Sequence, residues 1–200
     1  MPRSKEAFEA MRQTTRVKIE VAALSLFARK GLAVKVGEIA EASGLSQGLM
    51  YSHYPSKDAL IAELVRQATT ISGKTIMGFA ENGNTATGKI NAISSVMCRM
   101  FVENSIGIDY FMFMVQVGMS GFQLPEASLH APTHPNPAES LARIIVEGQA
   151  VGSVVSGEPM QLSMLYWAAI QGLCCYAVTG MPVAPEPKAL NRILLKEDYL

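Results

Sequence analysis

The sequence predicts an all-α protein: an N-terminal three-helix helix-turn-helix unit, then a larger helical ligand-binding and dimerisation region. Three observations carry this. Apolar residues recur at helical spacing, glycine and proline cut the chain into helix-length pieces, and no run alternates as a half-buried strand does. At 200 residues and 49% hydrophobic, the chain can bury a substantial core and does not have the composition of a disordered one. The division is placed at residues 1–68 and 69–200.

A first helix is expected over residues 14–30, where Ile19, Ala22, Ala23, Leu26 and Phe27 share helical spacing and Gly31 follows as a C-cap. A second covers residues 36–42. A third starts after Ser46 as N-cap and ends near Tyr54, before Pro55. Ser56 caps a fourth, with Asp58 in its first turn, where the helix dipole favours an anion. Residues 81–88 read as a loop, 89–104 and 108–119 as helices, and 121–137 as the longest loop. Residues 137–155 form an amphipathic helix, and 158–179 another, ended by Gly180. A proline-rich hinge over 181–187 precedes a short last helix from about Lys188.

Formal net charge is zero, but it is unevenly spread. Residues 1–66 carry ten Lys/Arg against seven Asp/Glu, and residues 67–200 carry seven against ten. The N-terminal part is therefore the one expected to meet a polyanion. The three cysteines, Cys98, Cys174 and Cys175, are odd in number and match no disulfide framework or zinc spacing, so they read as packing thiols in a reducing cytoplasm. Residues 1–16 are charged and lack the apolar core of a signal peptide. Residues 159–185 hold no charge, yet Gln161, Ser163, Gln171 and Thr179 interrupt them and no basic residues flank them. A helix buried at a subunit interface is expected there, and no membrane partner. His130 and His134, in a proline-rich loop without a third ligand, read as solvated. There is no Gly-rich phosphate loop, nucleophile elbow or HExxH, so neither an enzyme nor a cofactor is expected.

The informative stretch is VGEIAEASGLSQGLMYSHYPSK, residues 36–57. Ile39 and Ala40 face inward from a short helix, Gly44 makes the tight turn, Leu45 plugs the gap, Ser46 caps the next helix and Met50 packs it down. What stays outside is Gln47, Gly48, Leu49, Tyr51 and His53, short or polar side chains suited to base edges and phosphates. Gln47 can pair with adenine and Leu49 can touch a thymine methyl. Tyr51 and His53 can donate to phosphate oxygens, and Lys57 forms a phosphate clamp at the start of the following helix. A three-helix bundle with no nucleic-acid role is the alternative.

Residues 16–65 resemble the DNA-binding domain of the tetracycline-repressor (TetR) family. The resemblance rests on AALSLFARKGL at 22–32 and EIAEASGLSQGLMYSHYPSKDALIAELV at 38–65. It implies a homodimeric repressor on a two-fold symmetric DNA operator, released when a small effector binds the C-terminal region. It also implies DNA contacts at Gln47, Gly48, Leu49, Tyr51, His53 and Lys57, beside the capping Ser46. One departure stands out: Val34 and Lys35 occupy the place where the family has a capping Thr or Ser. A missing cap costs roughly 1 kcal/mol. Lys35 is expected to replace the phosphate contact by charge.

Nine of the twelve methionines lie beyond residue 68. Met97, Met100, Phe101, Tyr110, Phe111, Met114 and Tyr166 are the candidate lining of a pocket for an apolar effector, since flexible thioethers and aromatics suit irregular ligands. Plain core is the alternative for each. Tyr110, Gln116, Tyr166 and Gln171 are possible polar anchors. Gly148, Gly152, Ala168, Ala169 and Gly172 would let the last two long helices approach a second copy and form a four-helix bundle.

Overall fold

Helix α1 (Lys5–Lys30) runs for 26 residues and contributes to both hydrophobic cores of the molecule. The computed structural model describes residues 5–72, 85–103, 105–123 and 136–200. After α1 come α2 (Val36–Ser43), α3 (Gln47–His53), α4 (Lys57–Ser72), α5 (Ala86–Glu103) and α6 (Ser105–Ser120). Then follow α7 (Pro137–Ala150), α8 (Pro159–Val178), α9 (Pro187–Asn191) and a 3-10 turn at Glu197–Tyr199. The all-α class holds: the described residues contain no strand, only one antiparallel bridge between Val154 and Leu195.

One core gathers Ile19, Leu24, Phe27, Ile39, Met50, Leu60 and Leu64, all fully or almost fully buried. The other gathers Ile90, Ile93, Leu141, Ile145, Tyr166, Ile170 and Leu194. They interlock at α1 and α6. Phe27 of α1 belongs to the first and its neighbour Ala28 to the second. On α6, Phe113 enters the first and Met112 the second. The rings of Phe27 and Phe113 stack with centroids 5.9 Å apart. Polar bolts flank that contact. Arg29 donates to the buried Asp109 carboxylate at 2.9 Å, and the Tyr110 hydroxyl donates to Gln67 of α4 at 2.6 Å. Asp109 has lost most of its water, so its pairing with Arg29 offsets a desolvation cost that no surface carboxylate bears.

Several boundaries differ from expectation, α6 beginning at Ser105 and not at residue 108 among them. Helix α1 begins at Lys5 and not at residue 14. Residues 7–11 are mostly good helix formers, and the Thr14 and Thr15 hydroxyls donate back to the Ala10 and Met11 carbonyls at 2.9 Å in place of capping a start. Helix α5 begins at Ala86 because Thr85 accepts the Gly88 N–H at 3.1 Å and serves as its cap. Helix α7 stops at Ala150, short of residue 155. Gly152 turns the chain at φ +78°, and the next residues extend to pair with the C-terminal segment, with Val155 N–H donating to Leu194 at 2.8 Å.

That turn corrects the reading of Gly148. It does not face a second copy; it is buried inside the chain, under the returning segment. A Cβ there would lie 2.2 Å from Val154 Cγ2 and 3.1 Å from the Ala86 Cβ. Around Gly152 and Gly172, by contrast, a Cβ would meet open space. Expectations for His130, His134 and most of the loops over 81–88 and 121–137 lie outside the described residues.

Valine is stiff at χ1, so Val154 cannot swing aside. Gly148→Ala is therefore expected to destabilise the chain by about 1–3 kcal/mol, although alanine is the better helix former. Chemical denaturation measures it. Unchanged or increased stability would contradict the close approach of Gly148 and Val154.

Candidate nucleic-acid interface

The α2–α3 unit is assembled by local chemistry that the residues themselves supply. Gly44 leaves α2 at φ +69°, a left-handed conformation that costs glycine little, and Leu45 N–H then reaches back to the Ala40 carbonyl at 2.9 Å. Ser46 accepts the Leu49 N–H at 3.2 Å, as an N-cap should. Met50 is fully buried and Leu45 packs beside it. With its inner side held so, α3 turns Gln47, Gly48, Leu49, Tyr51 and Ser52 outward. Leu49 is 41% and Tyr51 48% exposed, so neither belongs to the core. Glycine at position 37 lets the Gln47 side chain lie against α2: a Cβ there would sit 2.9 Å from Gln47 Nε2.

The missing cap of α2 is half restored by another route. Glu38 accepts the Lys35 backbone N–H at 3.0 Å and is itself held by the Lys30 ammonium at 2.9 Å. These contacts, Lys30 first, hold the Glu38 carboxyl below the ordinary carboxylate range. No side-chain oxygen at position 35 caps the helix, because lysine has only donors to offer. The Lys35 side chain is exposed beside the start of α2.

Two of the expected contact residues are placed differently from the rest. The Lys57 ammonium points back into the fold, donating to the carbonyls of Leu32 at 2.8 Å and Val34 at 3.3 Å. It ties down the turn between α1 and α2. His53 is half-buried at the end of α3, and its Nδ1 finds no hydrogen-bond partner among the described residues. Burial, then the charges of Arg12 and Arg16, lower its pKa from the ordinary 6.5, so it is neutral near pH 7. Arg16 is engaged within the fold. Its guanidinium lies 5.3 Å from the Tyr54 ring centre, donates to the Tyr54 hydroxyl at 3.3 Å and stands 3.7 Å from both Glu20 and Glu63. Tyr54 is buried and donates to Glu20, and that burial raises its pKa. Arg12, by contrast, is exposed, and its charge reaches His53.

The seven residues expected to line one apolar pocket divide between the two cores. Met97 and Tyr166 are buried in the second, and the Tyr166 hydroxyl is hydrogen-bonded to Ser94 at 2.8 Å. Tyr110 and Met114 pack on the first. Met100 rests against Gly107, and Phe111 stacks on Trp167 with centroids 6.4 Å apart. Of the seven, Phe101 alone is in the lining of the cavity formed by residues 101–103, Ile108, Ala177 and residues 181–184. That cavity, about 540 Å³, lies where the C-terminal ends of α5 and α8 meet residues 181–184. Its other walls include Ile108, Ala177, Met181 and Val183, which periodicity did not single out. The proline-rich composition of 181–187 was the one available signal.

Comparison with known proteins agrees with this geometry. Residues 19–64 match the family described as bacterial regulatory proteins, tetR family. No curated protein matches the chain. Among solved structures, a TetR-family transcriptional regulator from Agrobacterium tumefaciens is 18% identical with a TM-score of 0.66, the alignment covering 91% of this chain and 94% of that one. The MbdR regulator from Azoarcus sp. CIB is 21% identical with a TM-score of 0.71, covering 90% and 96%. A gamma-butyrolactone receptor described as ArpA-like is 17% identical with a TM-score of 0.70, covering 93% and 90%. At these identities the structures establish a shared fold over almost the whole length. The helix-turn-helix segment is thus matched in sequence to the tetR family of bacterial regulatory proteins, and almost the whole chain shares the fold of these solved structures.

Proposed function

We propose that this protein is a cytoplasmic repressor and not an enzyme: a homodimer that reads a two-fold symmetric operator and leaves it when a small, largely apolar effector binds within residues 69–200. The observation that carries the reading is the outward face of α3, short-chained and polar around Leu49 and Tyr51, fixed from behind by buried Met50. Such a helix presents hydrogen-bonding groups to base edges without long side chains in the way. Lys35, Ser46, Gln47, Gly48, Leu49 and Tyr51 form the proposed contact set, with neutral His53 at its margin. Lys57 is assigned the support of the turn behind them.

The proposed dimer uses α7 and α8. Val151, the C-cap of α7, is 71% exposed and Leu165 of α8 is 61% exposed, and Val146, Met164 and Tyr176 add further apolar surface on the two helices. A surface of that kind is normally covered. A two-fold axis there would set two α3 helices about one DNA turn apart, roughly 34–36 Å or somewhat more. Effector release is supported by the bolting of α6 to α1 and α4, since any shift of α6 moves the DNA-reading head. The fold shared with a gamma-butyrolactone receptor is a further support for a small-molecule ligand. Among the described residues no helix is long and apolar enough to cross a membrane, and the three cysteines are free.

Fluorescence anisotropy with duplex DNA tests the reading. Tyr51→Ala should lose most binding with the fold intact by circular dichroism, and Gln47→Ala should relax base preference by about 1–3 kcal/mol at one position. Full binding and full preference in both would overturn the proposal. Lys57→Met separates support from contact. It should lower stability by about 1–3 kcal/mol, as charged hydrogen bonds do, and leave the salt dependence of DNA binding unchanged. A salt slope reduced by about one with stability unchanged would return Lys57 to the phosphate contacts.

A further inference from the structure

We infer that Gly37 is a positioning residue for base recognition: the missing side chain at that place in α2 holds the Gln47 amide in one orientation at the start of α3. The inference rests on the reading of α3 as the DNA-contacting helix. Gly37 lies in the first turn of α2. It is not among the glycines with positive φ, so the backbone there does not require glycine. Glycine within a helix is less stable than alanine, because it gives up more conformational freedom on folding. Nothing in α2 itself therefore accounts for it. The space that a side chain would take holds one group from elsewhere in the fold. A Cβ on Gly37 would stand 2.9 Å from Gln47 Nε2 and 3.8 Å from Gln47 Cδ. Apart from its chain neighbours and its own helix, it would meet nothing else within 4 Å among the described residues.

Gln47 is the first residue of α3, and its backbone is already fixed. Ser46 caps the helix through the Leu49 N–H at 3.2 Å, and the Leu45 N–H ties the turn to the Ala40 carbonyl at 2.9 Å. Only the side chain remains adjustable. A long side chain such as glutamine's loses rotamer freedom when it is held in a contact. Resting on the bare backbone of α2 removes part of that freedom before DNA arrives, and preorganisation of this kind favours binding. It also sets the direction of the amide, whose donor and acceptor must both face an adenine edge to pair with it. Gly48, next along α3, is different: a Cβ there would meet open space, so no side chain depends on its absence. What a Cβ at position 37 displaces is the far end of a flexible side chain, neither backbone nor core. Gly37→Ala should therefore keep the fold and move the Gln47 amide, which separates recognition from stability.

The full chain and its variants are titrated by fluorescence anisotropy against a duplex that the wild-type chain selects from a random-sequence pool. Versions of that duplex with each base pair changed in turn give the preference at every position. Gly37→Ala should reduce the preference at the base pair read by Gln47 by about fivefold or more, the low end of what one bidentate base contact contributes. Preference elsewhere in the site should stay as it was, and chemical denaturation should show stability unchanged or raised. In a Gln47→Ala background, Gly37→Ala should change nothing further, because the group it displaces is gone. Wild-type preference in Gly37→Ala, a loss of stability, or an equal loss of binding in the Gln47→Ala background would each overturn the inference. The last of these would mean that the added methyl meets DNA directly. Gln47→Ala separates this from the function proposed above. If it keeps full preference, the assignment of Gln47 as a base reader falls and this inference with it. If it relaxes preference while Gly37→Ala does not, only this inference falls.

Discussion

Helix α3 has seven residues, too few to persist in water without support. Its existence depends on Met50, which is fully buried among Ile19, Phe27, Ile39 and Leu60. Every contact assigned to the outer face inherits its position from that one burial. Ser46 and Gly44 determine where the helix begins and at what angle it is entered. Met50 determines which way it faces, and hence that Gln47, Leu49 and Tyr51 look outward.

The same core extends past the DNA-reading head. Phe113 of α6 is as deeply buried in it as Phe27 of α1, so the head has no separate hydrophobic interior to retreat to. Arg29 with Asp109 and Tyr110 with Gln67 fix the direction of α6 against α1 and α4. Close-packed interfaces of this kind do not deform gradually; they shift between discrete packings. That is the physical ground for expecting an event in the C-terminal region to be felt at α3. The opposite face of α6 reaches α8 through Phe111 and Trp167 and borders the cavity through Ile108, which places one helix between the C-terminal region and the DNA-reading head.

The helix-turn-helix was legible in the sequence because its determinants are local. Gly44, Ser46, Pro55 and Ser56 act on their immediate neighbours, and each does in the fold what its chemistry requires. The same holds for Gly31 and Gly180. What failed was anything that needed a distant partner. Periodicity marks Tyr110, Met114 and Tyr166 as inward-facing but does not say into which core they go. Lys57 reads as a free cation until the carbonyls of Leu32 and Val34 are folded beside it. Gly148 reads as a helix-contact glycine, and the contact is real, but the surface it meets is Val154 of its own chain. The early end of α7 depends on a C-terminal segment some forty residues away in sequence, which no local pattern announces.

The central claim is that the outer face of α3 reads duplex DNA as one of a symmetric pair. Selection of bound duplexes from a random-sequence pool, followed by sequencing, tests it most directly. The account requires enrichment of an inverted repeat whose half-site centres lie about one helical turn or somewhat more apart. Recovery of no preferred sequence, or of a single half-site without a symmetric mate, would contradict it.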